Sequence, residues 1–66
     1  MRTLGDDLPK EQARVREVLG VYKALGPAGR FGAIMIEQSL QKADKAVMSG
    51  DLAEMIRAYQ DLKGIE

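Results

Sequence analysis

Gly29-Arg-Phe-Gly-Ala-Ile-Met-Ile-Glu-Gln-Ser-Leu-Gln-Lys-Ala-Asp-Lys-Ala-Val-Met-Ser-Gly50 is the stretch that decides the fold. At about 100° per residue, Ala33, Ile36, Leu40, Ala43 and Val47 fall on one side of a helix. That side reads as the intramolecular core. Gly29 and Gly32 lie on or near it, where another backbone can approach closely. The stretch therefore predicts a long central helix over about 28–48. Its first half carries a second apolar set, Phe31, Ile34 and Met35, pointing away from the core side. Gln38 continues that second face, followed by Lys42 and Lys45. A surface helix normally shows one apolar stripe, and a helix apolar on two sides is covered on two sides. Either the neighbouring helices cover one side each, or the second face meets another molecule. A core this small rarely covers so much, so a meeting surface is expected.

Working towards the N-terminus, Gly26-Pro27-Ala28-Gly29 is strong punctuation. Gly26 supplies the left-handed position that closes a helix, and Pro27 cannot continue that helix but can open the next. The turn lacks Gly-x-x-x-x-Gly-Lys-Ser/Thr spacing and a preceding strand, so it is no phosphate loop. Before it, Val15, Val18, Leu19, Tyr22 and Leu25 repeat at helical spacing and predict helix 1 over about 8–25. Asp6 and Asp7 ahead of Leu8-Pro9 suit a helix start. Residues 1–7 are expected to be a flexible lead-in to a single helical domain over 8–66.

Towards the C-terminus, Ser49-Gly50-Asp51 separates helix 2 from helix 3. Asp51 followed three residues later by Glu54 has the form of a capping box. Leu52, Met55, Ile56, Tyr59 and Leu62 form the stripe of a helix over about 52–63. Gly64 terminates it, with Ile65 folding back as in a Schellman close. The expected class is all-α, three helices with helix 2 central, completed by oligomerisation. Leu19, Tyr22, Ile36, Leu40, Val47, Ile56 and Tyr59 are the expected core.

Composition narrows the function. Sixty-six residues make one small domain, with no cysteine to staple it. Ten basic and ten acidic residues balance, so no net field draws the chain to nucleic acid or membrane. No apolar run reaches the ~18–20 residues of a bilayer span. No signal peptide is visible, and the absence of Cys suits a cytoplasmic setting. With neither histidine nor cysteine, and Ser39 and Ser49 without an activating partner, no enzyme is expected. The carboxylates are spread along helix faces, so neither a metal site nor a cofactor is expected.

Two resemblances add to this. Gly50-Asp-Leu-Ala-Glu-Met-Ile-Arg-Ala-Tyr-Gln-Asp-Leu62 resembles the loop and second helix of a tetratricopeptide repeat, with Met55 where such repeats carry alanine. A solenoid needs three or more repeats, so the likeness implies a helical hairpin only. Leu25-Gly-Pro-Ala-Gly-Arg-Phe-Gly-Ala-Ile-Met-Ile-Glu37, with Leu62-Lys-Gly-Ile-Glu66, is similar to small helical proteins of tailed phages and prophages. That similarity implies an accessory protein in the bacterial cytoplasm, such as an inhibitor of host defence or a helper in packaging or regulation. It transfers no active site.

The sequence therefore predicts a non-catalytic binding protein, homo-oligomeric and directed at a protein target. Arg30, Phe31, Ile34, Met35, Gln38 and Lys42 are its candidate partner-binding residues. Two alternatives stand beside it. One is a nucleic-acid-binding regulator, against which Phe31, Ile34 and Met35 argue at the start of a recognition helix. The other is an oligomer that captures a small anionic ligand between subunits, with Arg30 and helix starts as donors.

Overall fold

A computed structural model describes residues 3–66. Three α-helices follow one another: α1 (Leu4–Ala24), α2 (Arg30–Ser49) and α3 (Leu52–Lys63), with a 3-10 turn at Gly26–Gly29 between the first two. No strand occurs among the described residues. The class is all-α with three helices, as the sequence predicts.

The N-terminus corrects one expectation. Helix α1 begins at Leu4, four residues ahead of the expected start near Leu8, so the expected lead-in is helical from Leu4 onward. Met1 and Arg2 lie outside the described residues. Thr3 is the cap: its Oγ1 accepts from the Asp6 amide at 3.3 Å. Pro9 then sits inside the helix. It offers no N–H to the Gly5 carbonyl one turn back. The added turn brings Leu4 against the core and places Leu8 fully inside it.

At the next corner Gly26 takes φ 65°, the left-handed conformation expected of it. Pro27 enters the 3-10 turn rather than α2, which opens at Arg30. The two glycines that follow let α1 and α2 approach. A Cβ at Gly29 would collide with the Tyr22 carbonyl oxygen, and one at Gly32 would lie 2.6 Å from the Tyr22 ring.

Gly50 closes α2 at φ 70°, and the Asp51 carboxylate caps α3 by accepting from the Glu54 amide at 3.2 Å. The reciprocal half of the capping box is not made. Glu54 turns instead to Arg57, and the Asp51 amide donates to Ser49 Oγ. At the far end Gly64 stays right-handed at φ −77°, so the close is not a Schellman turn. Arg14 serves the last carbonyls instead, donating to Leu62 O and Ile65 O at 2.8 Å each.

Polar contacts fix the helix directions. Gln12 Nε2 donates to Asp44 Oδ1 at 2.7 Å, Arg16 grips the same carboxylate, and Lys23 pairs with Glu37. Positions rise along α1 as they fall along α2, so the two are antiparallel. Arg14 reaches Leu62 and Ile65 while Tyr22, further along α1, reaches Glu66, so α3 runs parallel to α1. Each helix packs against both others, giving a three-cornered bundle 39 × 21 × 16 Å. Helix α2 is therefore not enclosed between α1 and α3, and one of its sides is left open.

The core is built on Leu8, Val15, Ile36, Leu40 and Leu62, with Ala33, Ala43, Ala46 and Ala58 between them. Of the expected core, Ile36 and Leu40 are buried, and Leu19, Tyr22 and Tyr59 are half-buried at its edge. Val47 and Ile56 are corrections: each is 42% exposed. Both lie near the α2–α3 turn, where the packing between the helices is only beginning.

Candidate functional site

Phe31, Met35, Gln38, Lys42 and Lys45 are spaced four, three, four and three residues apart. That alternation keeps side chains on one seam of a helix and is the spacing used to meet a partner helix. All five are exposed. In the folded chain Phe31 is 77% exposed and Met35 50%, with Ile34 beside them at 48%. The second apolar face read from the sequence is therefore surface, not the inside of a stack.

The six expected site residues divide into a seam and a flank. Phe31, Met35, Gln38 and Lys42 follow the seam. Arg30 and Ile34 stand on the flank towards α1, in a shallow groove shared with Lys23, Pro27 and Glu37. Lys42, at the lower end of the seam, also borders a cleft between α2 and α3 with Glu54, Arg57 and Asp61.

Charge on α2 is sorted by side. Its two acids face α1, where Glu37 meets Lys23 at 2.9 Å and Asp44 meets Arg16 at 2.9 Å. Arg30, Lys42 and Lys45 make no ion pair among the described residues. The open side of α2 is therefore apolar at its start, amide in the middle and cationic towards its end. Among the described residues no three His, Cys, Asp or Glu side chains cluster so as to hold a metal ion. No described helix is long and apolar enough to cross a membrane.

Sequence reasoning missed a second exposed apolar group. Val47, Met48, Leu52 and Ile56 surround the α2–α3 turn. Two of them, Val47 and Ile56, continue the helical period of the core, so the sequence reads them as core. The available signal was the flanking of Ser49-Gly50-Asp51 by Met48 and Leu52, since side chains beside a sharp turn lie beyond the neighbouring helix.

No family model matches the chain, and no curated protein or solved structure matches it.

Proposed function

We propose that this chain is a non-catalytic helical binding protein that works as a homo-oligomer joined through the open side of α2. One observation carries the reading. Among the described residues nine large apolar side chains are exposed, against five that are buried. The accessible surface agrees: it is 4720 Å² for a 7.3 kDa chain, where compact monomers of that mass expose about 4,200 Å². Association completes a core that one chain leaves unfinished. The role in a cell follows the similarity of residues 25–66 to phage-encoded helical proteins. It is that of an accessory or anti-defence protein that blocks a host factor by protein–protein contact. The test is Phe31→Ser with Met35→Ser. Helicity by circular dichroism should be retained, because neither side chain is in the core, while the solution mass falls. A folded variant that keeps the wild-type mass would refute the reading.

A second reading has its own support. Arg30 stands unpaired at the opening of α2, in a groove that also holds the Lys23–Glu37 pair. The groove is shallow in one chain, and a second copy laid over it would enclose an anion. On this reading the oligomer captures a small anionic ligand between subunits. Calorimetric titration with nucleotides and inorganic phosphate tests it: binding should be lost in Arg30→Ala and in the dissociated Phe31→Ser, Met35→Ser variant. Equal affinity in all three proteins would exclude it.

A further inference from the structure

We propose that the open side of α2 is covered by the outward side of α1 from the next copy of the chain, with Glu17 facing Lys42, and Val21 and Leu25 facing Phe31 and Met35. The inference rests on the reading of the α2 side as an interface and names the surface it meets.

Helix α1 also keeps an open side in the three-cornered bundle. Glu17, Val21 and Ala24 stand on it and Leu25 follows at its end, all exposed, with Val21 at 62% and Leu25 at 58%. The open sides of α1 and α2 belong to different corners, so one neighbour does not cover both. A contact between two different surfaces is heterologous, and it closes into a ring when the rotation allows.

The chain itself sets the register of such a ring. Helices α1 and α2 run antiparallel within one copy. An antiparallel contact between α1 of one copy and α2 of the next therefore leaves all copies pointing the same way. They are then related by rotation about an axis along the helices, and in a closed ring they stand at one height. Residues level with each other within a chain are level between chains too. Within a chain Gln12 and Arg16 reach Asp44, and Lys23 reaches Glu37, so the numbers of level residues add to between 56 and 60. By the same rule Leu25 stands level with residues 31–35 of the next copy, Val21 with 35–39 and Glu17 with 39–43. Apolar side chains thus meet Phe31 and Met35, and a carboxylate meets Lys42, in a register that symmetry imposes.

Neither Glu17 nor Lys42 has an ion-pair partner among the described residues of its own chain. Arg16 and Lys23, on the flank of α1, are already held by Asp44 and Glu37. Arg30 stands level with the uncharged 3-10 turn. Lys45 falls between Glu17 and Lys10, attracted by one and repelled by the other. Two α2 sides laid together would gather Arg30, Lys42 and Lys45 with no carboxylate of that helix among them, because Glu37 and Asp44 face α1. Two α1 sides laid together would leave α2 bare. Charge therefore selects the pairing, while apolar contact supplies most of the affinity.

The experiment mixes two blocked proteins, Phe31→Ser with Met35→Ser and Val21→Ser with Leu25→Ser, and weighs them by sedimentation after circular dichroism. The wild type should exceed twice the chain mass. Each variant alone should be a monomer, and the equimolar mixture should form a one-to-one dimer, because each partner supplies the surface the other lacks. If the Val21, Leu25 variant keeps the wild-type mass while the Phe31, Met35 variant loses it, α1 is not the occupant and the α2 interface stands. If the Phe31, Met35 variant keeps the wild-type mass, the α2 interface itself fails. A stable dimer of either variant alone would show like pairing with like and overturn the proposal. Should a double variant lose helicity, charge reversal serves in its place. Glu17→Lys and Lys42→Glu should each raise the concentration of half-assembly about fivefold, the upper effect of a surface pair, and the two together should restore it. Single reversals without effect, or a combination weaker than either, would overturn the proposal.

Discussion

Tyr22 shows how single residues set the α1–α2 corner. Its carbonyl oxygen occupies the space a side chain at Gly29 would need, and its ring covers Gly32. The sequence indicated close approach at both glycines, because glycine in a helical first turn costs about 1 kcal/mol and needs a compensating reason. It did not indicate that one tyrosine would satisfy both. Gly29→Ala must displace backbone, so it is expected to destabilise by about 1–3 kcal/mol, the range of overpacked sites. Gly20 is the internal control. Nothing lies within 4 Å of a Cβ there, and Gly20→Ala in the exposed interior of α1 should stabilise by about 0.5–1 kcal/mol. Urea denaturation of the two variants checks both signs. Equal effects would mean that the Tyr22 contact is absent in solution.

At the scale of elements, α2 and α3 were legible to within about two residues. Their ends are written in glycine and aspartate, and their apolar periods are clear. The start of α1 was not. Pro9 prefers a helix's first turn, and with Asp6 and Asp7 just ahead of it the sequence reads as a start at Leu8. If Thr3 caps α1, Thr3→Ala should cost about 1 kcal/mol in urea denaturation, whereas a helix starting at Leu8 would be indifferent. The phase of α2 was read correctly through Ile36, Leu40 and Ala43. Leu40 is almost wholly buried, so Leu40→Ala should cost about 2–5 kcal/mol. A loss below about 0.5 kcal/mol would mean the core face is misassigned. The period failed at Val47 and Ile56 because periodicity tells which side a residue is on, not whether a neighbouring helix extends that far. Both residues lie beside the one corner where the chain has just turned away.

Across the whole molecule, size explains why so much apolar surface remains outside. Three helices totalling 21, 20 and 12 residues enclose a core that relies on alanine for four of its nine buried apolar members. Alanines let the helices come close, but each buries little area, and hydrophobic stabilisation scales with that area. The polar links between Asp44 and Gln12 and between Arg14 and the α3 carbonyls fix the arrangement of the helices rather than enlarging the core. The outward face of α2 was legible from its Phe31, Ile34 and Met35 phase. The apolar turn end was not, since it depends on how the helices come together.

The most direct test of the central claim, that the open side of α2 is covered by another copy in the working protein, is the accessibility of that side in solution. The chain has no cysteine, so Met35→Cys introduces a single thiol on the seam. Its rate of maleimide labelling is measured over a dilution series and compared with the same protein in urea. The account predicts labelling at least tenfold slower than in urea at high protein concentration, rising towards the urea rate as dilution separates the copies. Labelling as fast as in urea at every concentration, in a protein that remains folded, would contradict it.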